Sequence, residues 1–428
     1  MAFKFGNHAN SAPRSNAIDV YVGVDFGTTF SKVSFQIGAK DGTTKYSIRF
    51  AHRGTETDCC LPSVLGYDKK RRALVFTQEP EQRGLERVCY FKYSMIEEGV
   101  PREVEDLSGS GKARTSNDPQ RLCSAFYLAH LLKQVKACVR DRMPMVAQSD
   151  EVRWYVNMGV PVSDFNAKPK PIYDEALNVA WKLVENGEID DEMALSDMDR
   201  LYTRWMGHST WSARLNTVPE LYAEIIMFLQ DKTVDSGFYS VIDIGGGTVD
   251  IAVFLKRIDQ FKKAPPDIFC VAQTVCPWGY EMYRRVSSDA NADKELRVAY
   301  AECLEKAKTE HPLEMIKVFD KGGVLIHFYM GGARAVSSYH EIVSVTDEAY
   351  KNAWLKYPGA VEMDMMEFMR DKARLDVKNN PRLVISQMLA QPFEMMPELA
   401  GMPWHFKAAG IRDHLSLAEK QEFLYGPK

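Results

Sequence analysis

Two stretches more than two hundred residues apart repeat one pattern, and that repeat limits what the chain can fold into more than any other feature. The first is VGVDFGTTFSKVSF (22–35) and the second is VIDIGGGTVDIAVF (241–254). Each is a β-branched strand, then an aspartate, one apolar residue, a glycine, a small or hydroxyl cluster, and a second apolar strand. A hairpin turn of this kind exposes backbone N–H groups, and glycine lets a phosphate approach them closely. Thr28, Thr29 and Thr248 add hydroxyl donors. Asp25, Asp243 and Asp250 would repel a phosphate directly, but they suit a hydrated Mg²⁺ between them, because that ion takes carboxylates and keeps several waters. Two such hairpins facing each other across a cleft would hold a triphosphate from both sides. The plainer alternative is two unrelated β-hairpins, for which glycine and threonine are ordinary turn residues. Three consecutive glycines flanked by two aspartates exceed what a plain turn needs.

Bulk properties narrow the class. At 428 residues the chain is long enough for two lobes with separate cores. The formal net charge of −4 gives no basic excess to argue for nucleic acid. No apolar run approaches the roughly 20 residues of a membrane helix. The opening MAFKFGNHANSAPRSN lacks an apolar signal core and reads as a flexible lead-in over 1–17. The eight cysteines form no C-x-x-C pair and have no histidines at zinc spacing, which reads as reduced thiols in a cytoplasmic protein.

Periodicity predicts strands at 19–26, 31–38 and 45–50 as a three-strand meander, a further strand at 73–77, and an extended segment from Pro62. Segment 99–119 reads as an exposed loop. Its GSGK lacks the upstream glycine, the following Ser or Thr, and the preceding strand of a P-loop. Helices are expected over 119–142, 170–186 and 219–232, the last with Pro219 in its first turn, and strands over 151–162 and 323–330. A strand, a glycine run and a strand span 239–257, a helical stretch covers about 279–309, and 339–428 reads as mostly helix and loop.

The paired loops resemble the phosphate 1 and phosphate 2 motifs of the actin-like ATPase superfamily, which includes sugar kinases, actin, bacterial actin homologues and heat-shock chaperones. DFGTTFS and DIGGGTVD are most similar to the chaperone and bacterial actin-homologue branches. Weaker landmarks follow in the same order. CYFKYSMI (89–96) is similar to the segment presenting a catalytic lysine, here Lys92, though one lysine on a mixed segment is also an ordinary solvated residue. VPELYAEIIMFL (218–229) resembles the first connecting helix, with Glu220, which could equally complement its own helix N-terminus. LEKAKTE (304–310) is similar to the nucleoside-contacting helix at Glu305 and Lys308, which are also spaced as a surface i, i+3 pair. FYMGGARAV (328–336) looks like the adenosine motif, with Gly331 and Gly332 in place.

The resemblance implies an α/β fold of two lobes, 18–235 and 236–428, each around a ribonuclease-H-like mixed sheet flanked by helices, with ATP or ADP and Mg²⁺ in the cleft. Gly27, Thr28 and Thr29 would hold phosphates from one lobe, and Gly245, Gly246, Gly247 and Thr248 from the other. Asp25 and Asp243 would order the metal's waters, with Asp250 near the γ-phosphate. Glu220 would align the attacking water and Lys92 would stabilise the transferred group. Only about 80 residues separate GGGTVD from MGGARA, which implies a reduced upper subdomain in the second lobe. Ala333 and Arg334 depart from the chaperone pattern, so adenine recognition follows less firmly than phosphate binding. Residues 344–428 are too short for a peptide-binding domain with a lid. The expected function is a low-turnover ATPase switch acting on a protein partner. Its alternatives are a filament-forming actin homologue used in segregation or scaffolding, and a nucleotide-binding interaction protein with little hydrolysis.

Overall fold

The computed structural model of the chain describes residues 17–38, 44–52, 55–95, 117–161, 170–206, 214–224, 234–258, 267–285, 290–310, 325–353, 360–362, 383–393 and 396. The fold is mixed α/β, and two sheets of like topology organise it. In the first, β1 (Ala17–Phe26) pairs antiparallel with β2 (Phe30–Ile37), which pairs antiparallel with the short β3 (Tyr46–Ser47). Two small sheets lie outside this core. One joins β4 (Phe50–His52) to β5 (Thr55–Asp58). The other has β7 (Val64–Asp68), β8 (Ala73–Val75) and β9 (Glu86–Cys89), with β6 (Leu61–Pro62) leading in along the edge of β2. The first sheet is completed by parallel strands, β10 (Glu151–Val160) beside β1 and then β12 (Leu215–Pro219), while β11 (Glu192–Ala194) joins β8.

The second sheet repeats that plan. β13 (Gly237–Ile244) is antiparallel to β14 (Val249–Arg257), which is antiparallel to β15 (Asp267–Cys276), while β16 (Leu325–Met330) and β17 (Ala360–Glu362) add in parallel on the other side. Each sheet therefore runs third–second–first–fourth–fifth in strand order, with matching strand directions. The register of the two central hairpins also matches. Asp25 lies opposite Lys32, seven residues on, and Asp243 lies opposite Asp250, again seven residues on.

Side chains alternate across a strand, so one face of each sheet can be read off residue parity. Even-numbered Val20, Val22, Val24 and Phe26 enter a core shared with the helices Pro119–Arg142 and Lys170–Glu185. Asp118 caps the first of these by accepting from the Gln120 amide at 3.0 Å, with Pro119 at the first position. On β13, Phe238, Ile242 and Ile244 pack against the helices Ala290–Glu310 and Ser337–Ala353. The opposite parity, carrying Asp25 on β1 and Asp243 on β13, faces the space between the sheets.

Two short helical segments, 220–224 and Val384–Leu389, occupy part of that space. All six residues of the second are buried, and its Val384, Ile385, Met388 and Leu389 share a core with Tyr239, Val241 and Phe328 of the second sheet. At about 1.5–3 kcal/mol per buried aliphatic side chain, these four contribute about 6–12 kcal/mol before ordering entropy. Its polar side meets the first sheet, where Ser386 Oγ pairs with Ser34 Oγ at 2.9 Å and Gln387 donates to Ser47 Oγ at 2.8 Å. Asn157 donates to the Leu389 and Gln391 carbonyls, both at 2.8 Å. Gly23 makes room for this approach, since a Cβ there would lie 2.0 Å from the Ser386 carbonyl oxygen.

Several sequence expectations are corrected. Pro219 is the last residue of β12, paired with Val160, and the helix begins after it; a strand end tolerates a residue with no N–H to donate. The 45–50 strand is broken into β3 and the start of β4. β15 was not anticipated, and the expected helical stretch over 279–309 is two helices, Tyr280–Arg285 and Ala290–Glu310. The GSGK stretch, the 1–16 lead-in, helix positions beyond 224 and most of the C-terminal quarter lie outside the described residues. Among the described residues no helix is long and apolar enough to cross a membrane.

Candidate functional site

Both hairpin turns open into one cavity of about 550 Å³ between the sheets. It is lined by Asp25, Gly27, Thr28 and Thr29 from the first hairpin and by Asp243, Gly245, Gly246, Thr248 and Asp250 from the second. The turns approach each other closely: a Cβ on Gly246 would sit 2.1 Å from Thr29 Oγ1. Gly27 likewise has no room for a side chain, its Cβ position lying 2.2 Å from the Phe30 carbonyl oxygen.

Backbone hydrogen bonds orient each turn in the same way. The amides of Tyr280 and Glu281 donate to the carbonyls of Gly245 and Gly246 at 2.9 Å each. A trans peptide points its N–H opposite to its C=O, so the N–H groups of Gly246 and Gly247 turn away from that helix. In the first turn Ser63 does the equivalent work. Its Oγ donates to the Gly27 carbonyl at 2.7 Å and its amide to the Thr29 carbonyl at 2.9 Å, leaving the N–H groups of Thr28 and Phe30 turned away. Gly331, at φ +81°, wraps over the end of β13 with its Cβ position 2.2 Å from Asp243 Oδ1, so only glycine fits.

The charges fall into two kinds. Asp25 Oδ2 accepts from Lys32 Nζ at 2.7 Å, and Glu220 Oε1 accepts from Lys92 Nζ at 2.8 Å; the second pair is buried, and in the first Asp25 is buried and Lys32 half-buried. Burial opposes the charge on Lys32, yet contact with Asp25 more than offsets it and its pKa is raised. Burial pushes the Glu220 carboxyl up, against the pull of Lys92. Glu224, one helical turn beyond Glu220, and Asp243 are pushed well above the usual carboxylate range, first by burial and then by neighbouring carboxylates. Glu224 Oε2, Asp243 Oδ1 and Thr29 Oγ1 are buried with no hydrogen-bond partner among the described residues.

Of the residues the sequence singled out, Lys92, Glu220, Gly331 and Gly332 join the two hairpins in lining this cavity. Gly247 does not line it and packs against Gly279, whose amide donates to its carbonyl at 3.1 Å. Glu305 and Lys308 do not line it either. They form an exposed i, i+3 ion pair at 3.3 Å on the helix Ala290–Glu310, because that stretch turns its apolar face to the sheet and these two outward. Sequence reasoning missed Lys32 and Glu224, although both were visible. Lys32 follows Asp25 at the spacing by which Asp250 follows Asp243, and Glu224 stands at i+4 from Glu220. Ser63 and Gly279 carried no local signal, being brought in by tertiary contacts.

The unpartnered oxygens test the fit of a hard cation. Carboxylate, hydroxyl and phosphate oxygens are what Mg²⁺ takes; Asp243 lines the cavity and keeps one buried carboxylate oxygen unpartnered beside it. Among the described residues no three His, Cys, Asp or Glu side chains are grouped to ligate one ion, so substrate oxygens or waters would complete its shell. A second polar chain, Ser240–His327–Asp347, lies elsewhere. His327 bonds to Ser240 and, at 2.8 Å, to Asp347, but all three are buried and none lines the cavity, so the chain pins β13 and β16 to the helix Ser337–Ala353. No known protein-family model matches the chain, and neither does any curated protein.

Proposed function

We propose that the chain binds ATP with Mg²⁺ and hydrolyses it slowly on a two-lobed, actin-like fold with a ribonuclease-H-like sheet in each lobe, acting as a conformational switch on a protein partner. The observation that carries this reading is the doubled hairpin. Two D-x-G turns in the same register, on sheets of the same strand order, meet tip to tip in one cavity. Unrelated hairpins have no reason to share register, parity and a cavity.

On this reading the chain supplies position and charge, which is most of what phosphoryl transfer asks of a protein. The Thr28, Phe30 and Gly246 amides and the Thr29 hydroxyl donate to phosphate oxygens. Lys32 and Lys92 set positive charge near the transferred group. Asp25 and Asp243 order the waters of Mg²⁺, which when bound offsets phosphate charge. Asp250, held by the Thr248 hydroxyl at 3.0 Å, orients the attacking water together with Glu220. Val275, Tyr280, Met330, Ala333 and Val336 offer a largely apolar wall for the nucleoside. The Val384–Leu389 helix, wedged between the sheets with Ile385 lining the cavity, would carry a change in lobe separation outward.

A phosphate-release assay tests the reading. The wild type should release phosphate from ATP in a Mg²⁺-dependent way, and Asp243→Ala should not. A wild type that turns over no faster than Asp243→Ala while still binding ATP would remove hydrolysis from the account.

A further inference from the structure

Six carboxylates line the cavity, one of them, Glu281, beside Arg284 at 3.6 Å, and the charges around them are unevenly distributed. Asp25 is held by Lys32 at 2.7 Å, Glu220 by Lys92 at 2.8 Å, and Asp250 accepts from Thr248 at 3.0 Å. Glu224 and Asp243 have no cationic side chain in contact among the described residues, and each keeps a buried oxygen without a hydrogen-bond partner. Glu224 is 1% exposed and Asp243 6%, so water does not screen them as it would at a surface. Two such carboxylates in one cavity are costly as anions, and they are relieved either by taking protons or by a cation that joins them.

We propose that Glu224 and Asp243 form the seat of a divalent cation on the second-hairpin side of the cavity, with Glu224 a direct ligand. Asp25, already held by Lys32, acts on the ion only through its waters. The seat rests on the proposed nucleotide site for its biological use, since two carboxylates alone leave most of the ion's shell to waters and phosphate oxygens. It does not rest on that site for its existence. Glu224 stands one turn beyond Glu220 on the same helical face, so a single segment presents one glutamate to Lys92 and the next to the cation.

The test uses the full chain and Mn²⁺ as the probe, with free Mn²⁺ followed by electron paramagnetic resonance, first without nucleotide and then with ATP. The wild type should bind one Mn²⁺. Glu224→Gln should weaken that binding about tenfold or more, on the scale seen when metal-site residues are lost, while Asp25→Asn, which touches the ion only through water, should weaken it less. Glu224→Asp, which keeps the charge on a shorter arm, should fall between wild type and Glu224→Gln; it decides the matter if Glu224→Gln does not fold. Mn²⁺ binding by Glu224→Gln equal to wild type overturns the seat, as does a loss in Asp25→Asn as large as in Glu224→Gln. A wild type that binds no Mn²⁺ in either condition overturns it too. Mn²⁺ held through Glu224 in a chain that binds no ATP would sink the proposed function and leave the seat standing. ATP binding with Mn²⁺ affinity indifferent to Glu224 would do the reverse.

Discussion

The buried pair Lys92–Glu220 offers a quantitative test of how the cavity is held together. Its side chains are 5% and 10% exposed and meet at 2.8 Å. Removing one member of such a pair strands the other charge and costs about 3–5 kcal/mol, whereas replacing both with neutral groups is often close to neutral. Glu220→Gln should therefore lose about 3–5 kcal/mol in urea unfolding at pH 7.5, with an unchanged denaturant slope. Lys92→Met strands a carboxyl whose pKa burial has already raised, so that carboxyl can escape by taking a proton. A carboxyl raised on folding contributes stability that is full below its unfolded pKa and is lost as pH rises through the folded one. The Lys92→Met penalty should accordingly be smaller at pH 5.5 than at pH 8. The double variant should recover most of the loss, giving a coupling of about 3 kcal/mol or more between the two sites. Single losses that simply add, to within about 0.5 kcal/mol, would refute the buried pair.

Three further outcomes follow from the same geometry. Gly246→Ala places a methyl 2.1 Å from Thr29 Oγ1; it should cost about 1–3 kcal/mol through overpacking and lower ATP affinity in a titration. Gly23→Ala meets backbone rather than a movable side chain, the Ser386 carbonyl oxygen at 2.0 Å and the Ala390 nitrogen at 2.5 Å, so limited proteolysis should cut the C-terminal segment faster than in wild type. Burial lowers Lys45 to about 8, so its charge opposes folding below that pH. Lys45→Met should raise the melting temperature at pH 7, and the gain should shrink as pH climbs from about 8 towards the ordinary lysine value of about 10.4.

The sequence made the hairpins legible because their signal is local. Strand, aspartate, glycine and threonine are contiguous, and the register that aligns Asp25 with Asp243 is carried in seven residues of each. The helix Pro119–Arg142 was legible to the residue for the same reason, its Asp118-Pro119 start being a short-range device. β15 was not, because DIFCVAQTVC mixes polar and apolar residues without clean alternation and its pairing to β14 slips at Val253/Phe254. The placement of Val384–Leu389 depends on contacts with residues more than 300 positions away, such as Ser34 and Ser47, which no local pattern encodes. Glu305 and Lys308 stand apart from the hairpins. They were expected from LEKAKTE alone, and the helix carrying them pairs the two side chains with each other, outside the residues that line the cavity.

Calorimetric titration of the full chain with ATP, ADP and GTP, with and without Mg²⁺, is the most direct test of the paired hairpins as one phosphate site. The account predicts one ATP bound per chain with an affinity that rises on adding Mg²⁺, and loss of that Mg²⁺ dependence in Asp243→Ala. A folded chain that binds none of the three nucleotides in either condition would contradict it.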